Sequence, residues 1–221
     1  MAPRARAKNE SGEQSRQRIL DAAEQLLVRE GFSAMSIAKL EKQSGLPASS
    51  IYWHFNDKRG VLLAVMDRGA QRFFDRLTHA EATDGPPAER VKVLLSALAQ
   101  QFISEPLFVA LLLSVGSEQG AGPEAAERIR AIRSAGLEHA KAIGRLVAEA
   151  ADRVVGEDTV DAMGRMTMAV CDGAVFALQL GEPVDLEATY QRLGVMLTGL
   201  VEAEGRRPRV RPGPSASQTT A

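Results

Sequence analysis

Residues 36–58 read SIAKLEKQSGLPASSIYWHFNDK, and the punctuation of this stretch decides the fold. Ile37 and Leu40 stand three apart, which puts both on one side of a helix ending at Ser44. Gly45 breaks that helix, because glycine tolerates the backbone reversal a tight turn needs. Pro47 suits the first turn of a second helix, where its missing N–H costs nothing, and this helix runs to Phe55. Asn56 and Asp57 close it, and Asp57 is placed to cap the helix that follows. Two short helices across a glycine turn form a helix-turn-helix, in which the first braces and the second is free to enter a groove.

On a wheel of about 100° per residue the second helix has two unlike sides. Ile51 and Phe55 point one way, with Ala48 nearby, and should pack inward. Ser49, Ser50 and Trp53 point the other way, flanked by Tyr52 and His54. A merely solvated face rarely carries two large aromatics, since exposed aromatic surface calls for a partner. Hydroxyls and ring edges can bond phosphates, and apolar ring faces can touch thymine methyls. The plainer alternative is a helical hairpin whose aromatics are covered by another helix.

Outward from this stretch the chain reads as all-α, about nine helices in all. Ile19, Ala22, Ala23, Leu26 and Leu27 mark one face of a first helix from Arg16, with Ser15 as its cap and Gly31 as its end. A fourth helix covers about Lys58 to Thr78 and a fifth about Ala88 to Ser104, separated by Thr83-Asp84-Gly85-Pro86-Pro87. A sixth lies between Pro106 and Gly116, and a seventh covers about Glu124 to Val155. The eighth, Thr159 to Leu180, is apolar nearly all round, so both of its faces should be buried. The ninth, from Asp185, carries Leu186, Tyr190, Leu193, Leu197 and Leu200 as a heptad-like seam. Residues 1–15 are expected to be a disordered basic arm and residues 205–221 a disordered tail rich in Pro, Arg, Ser and Thr.

The net charge of −1 hides an asymmetry. Residues 1–60 carry ten Lys and Arg against seven Asp and Glu, whereas residues 61–204 carry thirteen against twenty-one. A basic head on an acidic body suits a polyanion at one end only. Arg4, Arg6 and Lys8 of the arm either reach an adjacent minor groove or remain a solvated tail. Cys171 is the only cysteine, which rules out an intrachain disulfide and fits a reducing compartment; its apolar surroundings favour a packing role over a redox switch. No apolar leader and no membrane-length apolar run is present, so a cytoplasmic protein without membrane contact is expected. The enzyme reading is weak: no nucleophile elbow, phosphate loop or metal-ligand cluster is present, His54, His79 and His139 are scattered, and no cofactor is expected.

Arg18-Ile19-Leu20-Asp21-Ala22-Ala23, Gly31-Phe32, Ser44-Gly45-Leu46 and Ile51-Tyr52-Trp53-His54-Phe55-Asn56-Asp57-Lys58 closely resemble the TetR (tetracycline-repressor-like) family. The most specific part is Tyr52-x-His54-Phe55-x-x-Lys58 after Gly45, within a match over roughly residues 16–66. The resemblance implies a DNA-binding domain at 16–58 and a helical effector-binding and dimerisation domain at 59–204. It implies that Tyr52 and His54 contact the phosphate backbone, that Ser49 and Ser50 contact backbone or bases, and that Ala48 offers a base only its methyl. Lys58 matches a phosphate anchor, assisted by the free N–H groups of its helix N-terminus. Ser36 matches a phosphate-bonding hydroxyl at the start of the bracing helix. With Trp53 from the outward face, these are the candidate DNA contacts. Three positions depart from the family pattern: Ala38 where Arg is frequent, Glu41 where a small apolar residue is usual, and Pro47 where a hydroxyl cap is usual.

The resemblance further implies a four-helix dimer interface from helices eight and nine of two subunits, here assigned to Val170, Ala174, Leu178, Tyr190, Leu193 and Leu197. Charge at Leu193 or Leu197 is then expected to give monomers. Packing of both helices within one subunit is the alternative. An effector pocket among helices four to eight is assigned to Phe73, Phe102, Phe108, Leu112, Met163, Met166 and Phe176, each of which is otherwise plain core. Few polar groups interrupt these stretches, so the effector is expected to be lipophilic, oriented at most by His139 and Arg145. The expected function is a ligand-responsive transcriptional regulator that binds a palindromic double-stranded operator as a homodimer, a repressor released by a small lipophilic effector. The rival is a helical homodimeric interaction protein without sequence-specific DNA binding.

Overall fold

The chain runs as α1 Pro3–Ala34, α2 Ile37–Ser44, α3 Ala48–Phe55, α4 Lys58–Glu81, α5 Pro87–Ser104, α6 Pro123–Ala150, α7 Glu157–Gln179 and α8 Leu186–Gly205. The computed structural model describes the backbone of residues 3–105, 108–109, 111–112 and 122–205, and side chains within those ranges from Ser11 to Glu204. Among the described residues these eight helices are accompanied by no strand, so the all-helical fold class is as expected. The expected sixth helix falls mostly outside the described residues; residues 108–109 and 111–112 are helical. The eighth and ninth expected helices are α7 and α8. The expected tail lies outside the described residues from 206 onward.

The arm expected at 1–15 is corrected from Pro3 on: α1 begins there and runs on into the segment that starts at Arg16. The reason is local. Arg4, Ala5, Arg6, Ala7, Lys8, Glu10, Glu13 and Gln14 are good helix formers, and Gly12, the worst placed, costs about 1 kcal/mol relative to alanine. Ser15 is accordingly no cap; its hydroxyl donates to the Ser11 carbonyl at 2.8 Å, inside the helix. Gln17 donates to Glu13 one turn back at 2.7 Å. At Gly31 the backbone turns to φ 78°, ψ 171°, as the reading of the sequence required.

The head is built from α1, α2, α3 and the first half of α4. Ile19, Leu20, Ala23, Leu40, Ile51, Leu62 and Met66 meet there with essentially no exposure. The second half of α4 packs instead on α5 and α6, burying Gly69, Phe73 and Leu77. One helix therefore belongs to both parts. Ion pairs clasp it to α1: Arg68 donates to Asp21 at 2.6 Å and to Glu24, and Arg72 donates to Glu24 and, at 3.2 Å, to Glu105 beyond α5. Gln17 adds a bond to Arg68 at 3.1 Å.

The clasp differs from the ion pairs at the surface. Arg68 and Glu24 are largely covered, so loss of Glu24 takes a partner from the shielded Arg68 as well as from the more exposed Arg72. Glu24→Ala should lower unfolding free energy by about 2 kcal/mol, the scale of hydrogen bonds to charged groups. Glu30, exposed and paired with Arg29 and Lys39, should tolerate alanine with little effect on the urea midpoint. Equal midpoints for the two variants would show that the clasp contributes nothing special.

Candidate nucleic-acid interface and effector cavity

The helix-turn-helix is set by its turn. Gly45 sits in the left-handed region at φ 66°, ψ 22°, and its N–H donates to the Glu41 carbonyl at 2.9 Å. Arg18 of α1 donates to the Ser44 carbonyl at 2.8 Å, pinning the turn to the head. Pro47 lies one position earlier than expected, as the N-cap rather than in the first turn, and contributes no side-chain bond. Glu41 fills that gap: its Oε1 accepts from the Ala48 N–H at 3.3 Å. Two departures from the family pattern thus meet at one point. The compensation is invisible in either residue alone; its only sequence signal is the lack of a capping side chain at Pro47.

Ile51 and Phe55 are buried, as the wheel requires. On the opposite side Tyr52 is 51% and Trp53 75% exposed, with Ser49 also exposed. Ala48, Ser50 and His54 are half-buried at the margins. The Trp53 ring stands edge-on to His54, centroids 4.4 Å apart. Ser36 caps α2, its hydroxyl accepting from the Lys39 N–H at 3.3 Å. Burial, and then the charge of Arg16, hold the His54 pKa below the ordinary histidine value, which favours a neutral imidazole.

Lys58 is placed differently from the anchor the resemblance implies. Its Nζ donates to the Phe32 and Met35 carbonyls at 3.4 and 3.2 Å and stands 4.5 Å from the centre of the Phe32 ring. The ammonium thus ties α4 to the segment between α1 and α2. Two of its three donors are engaged, which leaves one for an outside acceptor. Lys39 is likewise committed, to Glu30 at 2.7 Å and the Ala34 carbonyl at 2.8 Å.

In the body a cavity of about 80 Å³ lies among α4, α5, residues 108, 109 and 112, α6 and α7. Of the residues assigned to it, Phe73, Phe102, Phe108 and Leu112 line it. Phe73 meets Phe102 edge-on at 5.3 Å and Phe108 at 5.7 Å. Met163, Met166 and Phe176 do not line it. Met163 is core packed on Gly144, and Phe176 is 59% exposed on the far side of α7. The faces of α7 were ambiguous because its sequence is apolar nearly all round.

The cavity also holds polar groups, of which the sequence reading named only His139. His139 Nδ1 lies 2.6 Å from Glu81, and its ring stacks on Phe74 at 5.1 Å. Arg133 bonds both oxygens of Asp172, at 3.0 and 2.7 Å. Arg145, by contrast, bonds Glu157 at the surface. The spacing of Arg133, Gly136, Ala140 and Ile143 along α6 marks a cavity-facing stripe, the one sequence signal available. Cys171 also borders the cavity, and burial pushes its thiol up to about 12, which keeps it protonated and poorly nucleophilic.

The seam on α8 is turned inward. Tyr190, Leu193 and Leu197 are buried within the single subunit, where α8 packs on α5, so they form no exposed interface. Ala174 is also buried and Val170 half-buried; Leu178 alone of the six assigned residues is exposed. The heptad pattern identified a buried stripe correctly but assigned it the wrong neighbour. On these two helices the uncovered apolar residues include Phe176 and Leu178 of α7, Leu180 at its C-cap, and Val195, at 73%, and Met196 of α8. Gly173 and Gly199 extend the two stripes at helical spacing, with open space above each.

The described helices form a helix-turn-helix head on a larger helical body. Residues 19–65 match the family model of bacterial regulatory proteins of the tetR family. The chain is 39% identical over 62 residues to the transcriptional regulator SrpR of Pseudomonas putida, across 28% of this chain and 29% of SrpR. It is 26% identical over 102 residues to AcrR of Shigella flexneri, across 46% and 47% of the two chains. These alignments thus span less than half of either relative. The fold of the body matches solved structures more fully. FadR of Bacillus subtilis, in complex with stearoyl-CoA, gives a TM-score of 0.68 at 18% identity over 84% of this chain and 98% of FadR. A Saccharomonospora viridis protein in complex with choline gives 0.69 at 20% identity over 84% and 96%. Among the described residues no helix is long and apolar enough to cross a membrane, and no cluster of potential metal ligands occurs.

The environment of His54 can be checked in solution. Its NMR titration midpoint should fall below about 6.5, the ordinary histidine value. Arg16→Ala should move the midpoint up, because it removes a nearby positive charge. A midpoint at or above 6.5, or one indifferent to Arg16, would contradict this geometry.

Proposed function

We propose that the protein is a transcriptional regulator that binds a palindromic operator as a homodimer and is released from it by a small effector. The observation that carries this reading is the exposed face of α3: hydroxyls, two aromatics and an imidazole, held outward by a pinned glycine turn on a buried base. Ser49, Tyr52 and Trp53 are the most accessible contacts, with Ser50 and His54 beside them. Ala48 can offer a methyl to a base. Ser36 and Lys58 act from the edges, each with part of its bonding capacity already used inside the head. A neutral His54 gains a proton more readily beside a phosphate, so operator binding should strengthen as pH falls toward the ordinary histidine range.

The homodimer forms through α7 and α8, by the uncovered stripe of Phe176, Leu180, Val195 and Met196 rather than the inward seam. Exposed apolar stripes on two adjacent helices call for a partner, and a two-fold axis would pair the patch with itself. Half-sites would then repeat at whole helical turns of about 34 Å.

The effector occupies the aromatic cavity. Its apolar part would meet Phe73, Phe102 and Phe108, and a polar group would face His139 and Arg133. A ligand larger than the present space must displace Phe108 or its neighbours. Phe108 packs directly on Gly69 of α4, and Glu105, three residues earlier, bonds Arg72, which also bonds Glu24 of the head. Movement of this segment would therefore shift α4 and α1 together. Such a ligand weakens DNA binding only by its differential affinity for the two arrangements.

Selection of bound fragments from the source genome tests the reading: it should recover a palindrome next to a promoter. Tyr52→Ala should abolish binding to that palindrome while leaving the dimer intact by sedimentation. Phe176→Asp paired with Val195→Asp should give folded monomers, whereas Leu193→Asp should unfold the subunit. Sequence-independent binding at moderate salt would instead favour the rival, an interaction protein that does not read DNA.

A further inference from the structure

We propose that Glu41 is a specificity-determining residue of the DNA interface, and that it reads the exocyclic amine of a cytosine within each half-site. The inference rests on the DNA-binding reading above and goes beyond it by assigning a base and a residue.

Three observations converge. The first is position. Glu41 is exposed in the last turn of α2, and its bond to the Ala48 N–H holds the carboxylate at the N-terminal end of α3. In a helix-turn-helix the N-terminal residues of the second helix are those that meet base edges. The second is unused capacity. A carboxylate offers about four acceptor positions, and one described bond uses one of them. Among the described residues Glu41 has no ion-pair partner, unlike Glu24 and Glu30 of the same head. The third is that the residues flanking the carboxylate offer no side-chain reader before the Ser49 and Ser50 hydroxyls. Ala38 and Ala48 have no hydrogen-bonding side chain, and Pro47 has neither a side-chain donor nor an N–H.

Charge then narrows the target. A carboxylate is repelled by phosphate, so it tolerates the DNA face only where it meets a donor. In the major groove the donors are the amines of cytosine and adenine. Adenine places its N7 acceptor beside its amine, which a carboxylate disfavours, whereas cytosine offers the N4 amine alone. Cytosine is therefore the preferred base. A glutamine at the same place would carry both a donor and an acceptor, the arrangement that suits adenine. The same charge weakens attachment to phosphates generally, so Glu41 also suppresses binding to unrelated sequences.

The test is selection from a randomised duplex library with the full-length chain and its Glu41→Gln and Glu41→Ala variants, followed by sequencing. The wild-type chain should select cytosine at one symmetry-related position per half-site. Glu41→Ala should lose that preference by roughly tenfold or more while keeping the other positions. Glu41→Gln, which retains an oxygen for the Ala48 N–H, should move the preference to adenine. Binding to a scrambled duplex should rise in both variants. The inference is overturned if both variants return the wild-type consensus at every position. It is also overturned if Glu41→Ala loses preference evenly across the site while Glu41→Gln returns the wild-type consensus, since Glu41 would then act only as a cap. A wild-type chain that returns no consensus overturns the DNA-binding reading itself, which is a separate result.

Discussion

Everything in this molecule depends on one shared helix and the clasp that holds it. The first half of α4 completes the core of the head, and its second half walls the cavity of the body. Apolar burial alone would let the head settle at several angles, because it has no direction. The paired bonds from Arg68 and Arg72 to Glu24 do have direction, and they fix α1 against α4 at one register. Arg72 reaches Glu105 as well, so the clasp touches the cavity wall. The exposed face of α3 and the cavity, on opposite parts of the fold, are thereby joined through charged groups of limited exposure.

The reading surface shows how local and non-local causes divide the work. Its inward and outward sides could be read from residue order, because the period of a helix is fixed by its backbone. Ile51 and Phe55 are buried, and Tyr52 and Trp53 are exposed, as that period demands. The bonds that aim this surface come from elsewhere in the chain. Arg18 pins the turn from α1, and Glu41 caps α3 from α2. Lys58 shows the converse. Its position in the motif was legible, but its ammonium is drawn to two carbonyls and a ring of the preceding segment. A side chain with a long flexible stem goes wherever unsatisfied acceptors lie, and sequence distance does not report that.

In the body, periodicity distinguished buried positions without identifying what buries them. The stripe on α8 was expected to face a second subunit, yet α5 covers it. On α7 an apolar residue occupies almost every side, so the period carried no directional signal there, and Phe176 was placed in the cavity when it faces solvent. The aromatic residues on α4 and α5 were assigned to the cavity correctly because those helices have one apolar side only. At the polar end the sequence pointed to His139 but not to Glu81, Arg133 or Asp172, since the members of each pair lie on different helices.

By itself the sequence determined the helical fold class, the helix-turn-helix with its glycine turn, and the two sides of α3. These follow from backbone geometry acting over a few residues. Only the tertiary structure decided which face of α7 and α8 is left uncovered, and that Glu41 stands at the entrance of α3. Each of these depends on which distant segment supplies the partner, and helical periodicity, which tells a residue whether it is buried, leaves that partner unnamed.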